Sequence, residues 1–469
     1  MLTTHRFPHV FGCLLLIAMT PTQHALADDT PLVSFAKHPT WNEQPVEVAP
    51  VDIGFATADF QVNGPQTHPE TNWGTYYKQN SDKMAEAACV PDLWNHPERF
   101  IDRLKELGCK KFRFSVSRDR IEPQPGSFDT EVLEHYRNLC RLLQAASIEP
   151  MVTLHHFSDP TYFSWERFED IDGFVHYAEH IAEVLYAEGV RKIVTLNEPT
   201  IIAFQGWVMG EFPPHHVRDF EGVGRVLEHM MCAHARVYNA LKSRHADFEI
   251  GLSHDPVRFR YFHKMHPLWS PLERILCHYL TELNHGAFMR YLQTGQFSLK
   301  IPFYTNYAFE HDKPPLDFIG LQYYTDPLIK LSFFGGESVT RNPEEKLTSY
   351  QYRTYPQGLA SALEEISTLG VPIDLTEIGI DTGITTDESD RERILYFDKV
   401  FQVVQKAVDL GIPVRSLYFW TLIDNLEWHK GWANRFGFYK FDPESGAISP
   451  RPVSKWLKER IHLREEQNH

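Results

Sequence analysis

Lys192-Ile193-Val194-Thr195-Leu196-Asn197-Glu198 is a short β-branched run that turns polar at its C-terminal end, and Pro372-Ile373-Asp374-Leu375-Thr376-Glu377-Ile378-Gly379 has the same form. Apolar runs of this length, set between helix-like segments, predict strands buried on both faces. Six further stretches share the pattern: 51–58, 110–117, 149–156, 249–255, 317–324 and 416–422. Between them lie amphipathic segments, among them 97–108, 129–146, 172–188, 225–242 and 387–410, whose apolar residues recur at three- and four-residue spacing. Eight strand–helix units without a break in composition predict an α/β fold, a single (β/α)8 barrel, with a doubly wound sheet as the alternative. The glycine-rich phosphate fingerprint of a dinucleotide fold is absent.

Polar and aromatic residues gather at the C-terminal ends of these runs: Arg113, His155-His156, Asn197-Glu198, Tyr323-Tyr324, Glu377 and Trp420. A barrel presents that end of its strands as the active-site mouth. Two carboxylates there suit general acid and nucleophile roles in glycoside hydrolysis with retention.

The chain has 469 residues with 62 acidic against 46 Lys plus Arg, a balance that disfavours nucleic acid or anionic membrane as partner and accommodates a neutral small molecule. Residues 1–27 read as a removable export signal: His5 and Arg6, an apolar core from Val10 to Met19, and Ala25-Leu26-Ala27 as the cleavage site. Residues 28–50 read as an extended leader and 51–469 as the barrel. No apolar stretch reaches the length of a membrane span, so the expectation is a periplasmic or secreted protein. The cysteines that follow the signal, Cys89, Cys109, Cys140, Cys232 and Cys277, fit no zinc or redox spacing and read as buried thiols.

With these motifs in order, the chain resembles the family 1 glycoside hydrolases, the β-glucosidase-like retaining enzymes, from about Val51 to about Lys458. The segments that carry the resemblance are Ala56 to Gly64, Phe112 to Ser117 with Arg120-Ile121, Thr153 to Phe157 with Pro160, and Asn197-Glu198-Pro199. It continues through Gly320 to Tyr324, Thr376-Glu377 with Gly379, and Trp420 to Gly437. The resemblance implies Glu198 as acid/base and Glu377 as nucleophile, the latter kept ionised by Arg113 and Tyr324. Asn197 would hold the sugar 2-hydroxyl, and Gln61, His156, Glu427 and Trp428 the remaining hydroxyls. Trp420 and Phe436 would form the apolar platform. It implies a small-molecule β-glycoside substrate and no cofactor or metal.

Four positions depart from the family pattern. Ile378 follows the nucleophile in place of Asn, Gln322 replaces the sixth-strand Asn, Phe157 replaces a common Trp, and Arg118 replaces the Trp of the second-strand signature. Ile378 and Phe157 are expected to make the pocket wall more apolar. Together with Phe333-Phe334-Gly335-Gly336, Phe157 hints at a hydrophobic leaving group. The Ser, Lys and Tyr pattern of members that take 6-phosphorylated sugars is missing from the Trp428–Phe436 loop, and Glu427 is present. The alternatives are a non-catalytic carbohydrate-binding relative, a transglycosidase with an apolar aglycone and, because of the 25 histidines, a metal-dependent hydrolase. Neighbouring histidines on a strand, such as His155-His156, point to opposite faces and cannot easily share a metal.

Overall fold

The computed structural model describes residues 32, 34–35 and 49–467, apart from 333–338, 344 and 383–386. The expected export signal, most of the leader and Phe333-Phe334-Gly335-Gly336 lie outside the described residues.

Eight parallel strands close into a barrel: β1 (Asp52–Ala56), β2 (Lys111–Ser115), β3 (Glu149–His155), β4 (Lys192–Asn197), β5 (Glu249–His254), β6 (Phe318–Tyr323), β7 (Ile373–Ile378) and β8 (Val414–Trp420). Each strand pairs with the next in sequence, and β8 closes on β1 with Trp420 opposite Ala56. Every residue of β2, β4, β6 and β7 is buried. One face of these strands lines the barrel and the other packs on helices, which is why they read as unbroken apolar runs.

The helices sit where one apolar stripe recurs. Glu98–Leu107 buries Phe100, Ile101, Leu104 and Leu107 and ends at Gly108, whose φ of 77° closes the last turn in the left-handed region. Asp129 starts Thr130–Ala145 by accepting from the backbone N–H groups of Glu131 and Val132.

The two ends of the barrel differ in kind. At the N-terminal ends of the strands Lys111 bridges Asp52 and Glu149 at 3.2 and 2.7 Å, and Arg415 bridges Glu249 and Asp374 at 2.6 and 2.5 Å. These ion pairs link neighbouring strands at this end and, through Arg415 and Glu249, β8 to β5 across it. At the other end the ladders become irregular: the β4–β5 register shifts between Val194 and Asn197, and the β6–β7 register between Leu375 and Glu377. Such shifts re-aim side chains, and both occur beside the two glutamates.

Several elements were not expected from the sequence. An antiparallel hairpin, Gln296–Ile301 with Thr305–Glu310, and the helix Trp269–Thr281 lie between β5 and β6, while Gly358–Ser367 precedes β7 and Pro452–Gln467 follows β8. Ile378 requires a correction. It is fully buried and absent from the lining of the cleft, because alternation along β7 turns it outward when Glu377 turns in. Tyr323 and His155 are corrected likewise. The Tyr323 hydroxyl donates to the Tyr355 carbonyl at 2.7 Å, and His155 Nε2 pairs with Asp159 Oδ1 at 2.9 Å, both away from the cleft. Arg118 is buried with Glu122, its guanidinium 4.6 Å from the centre of the Phe163 ring, and lines no part of the cleft.

Candidate active site

A cleft of about 1130 Å³, its open mouth included, lies at the C-terminal ends of the strands. Gln61, His156, Asn197, Glu198, Tyr324, Glu377, Trp420, Glu427, Trp428 and Phe436 all line it. Arg113 lies beneath, completely buried on β2. The structure thus brings these residues together, although they come from seven of the eight strands and the loops that follow.

Arg113 organises the floor. Its Nη1 donates to Glu377 Oε1 at 2.6 Å, its Nη2 to Asn197 Oδ1 at 2.5 Å, and its Nε to Thr153 Oγ1 at 3.0 Å. The Tyr324 hydroxyl donates to the other oxygen of Glu377 at 2.6 Å. Burial and the Glu377 charge push the Tyr324 phenol well above its ordinary pKa, so it stays a donor. Burial raises the Glu377 carboxyl, and Arg113 and Tyr324 oppose that rise.

Glu198 follows β4 with its backbone N–H donated to the Ser253 carbonyl at 2.8 Å. Burial, then the Glu377 charge, then that of Asp255 push its carboxyl well above the usual range, with Arg113 opposing. In a coupled pair of this kind the first proton belongs to the group with less support for its charge. That group is Glu198.

His156 is held neutral far below the ordinary imidazole pKa, by burial first and the Arg113 charge second. Asn197 Nδ2 lies 3.2 Å from His156 Nε2, so the amide donates and the ring proton is assigned to Nδ1. Nδ1 is buried without a protein partner, as is Gln61 Oε1, while Gln61 Nε2 donates to the Leu426 carbonyl at 2.5 Å. Buried polar atoms left over in a cleft are the groups a polyhydroxylated ligand satisfies. Glu427 accepts from Trp420 Nε1 at 3.2 Å, and burial pushes its carboxyl up to about 8. Gln322 Nε2 donates to Asn197 Oδ1 at 2.8 Å, so this longer amide still orients Asn197.

Backbone strain concentrates here. Phe157, Glu198 and Trp428 have φ of 66°, 45° and 43°, and all three line the cleft. Non-glycine residues in this region cost about 1–3 kcal/mol each and persist where the surroundings over-determine them. Gly379 permits another close approach: a Cβ there would lie 2.5 Å from the Trp420 carbonyl oxygen and 3.2 Å from the Phe436 ring.

Part of the lining is apolar, with Phe157, Ile201, Phe204, Phe212, Val257 and Phe259. Phe157 sits 5.4 Å from Phe212 and 5.0 Å from Trp428, ring centre to ring centre. Tyr350, Tyr352 and Asp255 also line the cleft and were not singled out from the sequence. Asp255 carried a usable signal, since it ends the 249–255 run as Glu198 ends its own. The two tyrosines lie in a loop without periodicity. Among the described residues no group of three or more His, Cys, Asp or Glu side chains is placed to hold a metal ion, and Cys89, Cys109, Cys140, Cys232 and Cys277 are free thiols.

The sequence matches the model of glycosyl hydrolase family 1 over residues 52–466. It is similar to a 6-phospho-β-galactosidase of Clostridium acetobutylicum, at 26% identity over 87% of this chain and 95% of that one. It is also similar to β-glucosidase A of Thermotoga maritima, at 26% identity over 83% of this chain and 92% of that one. Among solved structures, a β-glycosidase from Pyrococcus horikoshii superposes with a TM-score of 0.75 at 26% identity, covering 89% of this chain and 95% of that one. With the match spanning the whole barrel, the chain belongs to glycosyl hydrolase family 1 and is a glycosidase that hydrolyses O-glycosyl bonds.

Proposed function

We propose that the protein is a retaining β-glycosidase that removes unphosphorylated terminal β-D-glucosyl residues, with galactosyl or fucosyl as side activities, from an apolar leaving group. The observation that carries the mechanism is the unequal support of two carboxylates in one cleft. Glu377 is gripped by Arg113 and Tyr324 at 2.6 Å each and acts as nucleophile. Glu198, favoured as the neutral acid, gives its proton to the leaving oxygen as the C1–O bond breaks and a C1–Glu377 bond forms. Glu198, now a carboxylate, then takes a proton from water as that water attacks C1 and releases Glu377.

Asn197, fixed by Arg113 and Gln322, is placed to bind a hydroxyl of the sugar held against Glu377. Glu427 supports the unphosphorylated sugar, because its carboxyl is a hydrogen-bond partner for a free sugar hydroxyl and its ionised form would repel a phosphate dianion. The apolar lining that includes Phe157 and Phe212 supports the apolar leaving group. Export to a periplasm or the medium belongs to the same proposal and rests on residues 1–27 alone. N-terminal sequencing of the protein recovered from its native compartment would find residue 28 first, and a retained Met1 would refute it.

The test of activity is hydrolysis of nitrophenyl β-glucoside, galactoside, fucoside, mannoside and β-galactoside 6-phosphate beside the Glu377→Gln variant. Glucoside hydrolysis lost in the variant is expected. Hydrolysis that survives in Glu377→Gln would refute the mechanism, and preference for a 6-phosphorylated sugar would refute the substrate.

A further inference from the structure

We propose that Asp255, with Val257 and Phe259, forms a leaving-group subsite that selects amphiphilic alcohols, those with a hydrogen-bond donor beside the glycosidic oxygen and an apolar body beyond it. The inference rests on Glu198 being the acid, since that fixes where the leaving oxygen lies. Asp255 is 8% exposed, lines the cleft, and has Oδ1 buried without a hydrogen-bond partner. Two other carboxylates of the cleft differ: Glu377 has Arg113 and Tyr324, and Glu427 has Trp420. A buried acceptor without a donor is costly, and a ligand that supplies the donor recovers that cost on binding.

Position places Asp255 on the leaving-group side. It follows β5, the neighbour of β4, and the Glu198 N–H is bonded to Ser253 of that strand at 2.8 Å. Gln61, Glu427 and Trp428 follow β1 and β8, across the barrel mouth, and His156 follows β3, on the other side of β4. Beyond β5 the chain runs toward the short strand Arg260–Tyr261, and alternate residues 255, 257 and 259 all line the cleft. Successive inward positions therefore change from a carboxyl to Val and then Phe. The matching ligand carries a hydroxyl or an ammonium on the second carbon from the glycosidic oxygen and only carbon beyond. A site built to hydrogen-bond such a group rejects the analogue that lacks it far more strongly than it rejects a missing methylene.

The test compares octyl, 2-hydroxyoctyl and 2-aminooctyl β-glycosides of whichever sugar the nitrophenyl series ranks first. In the wild type, kcat/KM for both donor-bearing compounds should exceed that for the octyl glycoside by at least about 10-fold. In Asp255→Leu both ratios should fall to within about 3-fold of unity. Because each ratio is taken within one preparation, a partly misfolded variant does not distort it. Asp255→Asn distinguishes the two donors, keeping the hydroxyl preference and losing the ammonium one. An absent preference in the wild type, or one that persists in Asp255→Leu, would overturn the subsite. So would hydrolysis of nitrophenyl glycosides with no turnover of any octyl compound, an outcome that leaves the mechanism standing. Silence on the nitrophenyl series is the separate failure of the glycosidase mechanism itself.

Discussion

Glu198 and Glu377 are the same residue type at the ends of two strands of one barrel, both nine-tenths or more buried, yet their surroundings push them to different protonation states. Glu377 meets a guanidinium and a phenol, one on each oxygen. Glu198 meets burial and the charges of three other carboxyls, Glu377, Asp255 and Glu427, with Arg113 opposing. Desolvation raises both, and the difference lies in what opposes it. Sequence position makes a carboxylate available, and the neighbouring donors decide what it does.

The contrast can be broken most violently at Glu377. Glu377→Ala should lower kcat on the order of 10⁵-fold, the scale of losing a covalent nucleophile. Azide should restore turnover by attacking from the vacated face, giving the α-glycosyl azide. A β-azide would show that another group had taken over as nucleophile. Glu198→Gln should cost roughly 10²–10⁴-fold on alkyl glycosides and far less on dinitrophenyl glycosides, whose leaving groups need no proton. Equal losses on both substrates would remove Glu198 from the acid role.

A gentler change sharpens the comparison. kcat/KM requires Glu377 ionised and Glu198 protonated, so it rises with pH through the Glu377 transition and falls through that of Glu198. Tyr324→Phe removes a donor that favours the Glu377 carboxylate. The Glu377 transition should therefore move up, shifting the acidic limb to higher pH, with about a 10-fold or greater loss at the optimum. An acidic limb that stays in place would mean that Tyr324 only packs. The smallest effect is expected from Gln322→Asn, because Asn197 Oδ1 keeps Arg113 when it loses the Gln322 amide. A drop of about 5-fold in kcat/KM, the worth of one hydrogen bond, is the expected result, and steady-state assays would show it.

Much of this was legible in the sequence, for identifiable reasons. All eight barrel strands stand within the expected runs or a residue or two of them, because strands covered on both faces leave an apolar signature that needs no partner to read. Glu198 and Glu377 were visible as polar residues ending such runs. What escaped depends on direction and on loops. Whether Tyr323 or Tyr324, Ile378 or Glu377, faces the cleft depends on strand register, and the ladders shift there. Tyr350 and Tyr352 reach the cleft from a segment with no periodicity, and their place depends on contacts such as the Tyr350 N–H bonded to Asp381 Oδ2 at 3.0 Å. The hairpin Gln296–Ile301 with Thr305–Glu310 did carry period-two alternation, with Phe297, Leu299 and Ile301 buried between more exposed residues.

The most direct test of the division of labour is mass spectrometry of the protein after reaction with an activated 2-deoxy-2-fluoro β-glycoside, which slows release of the glycosyl-enzyme. The account predicts one sugar per chain, attached within the peptide that contains Glu377. A label on Glu198, or steady turnover to an inverted product with no label at all, would contradict it.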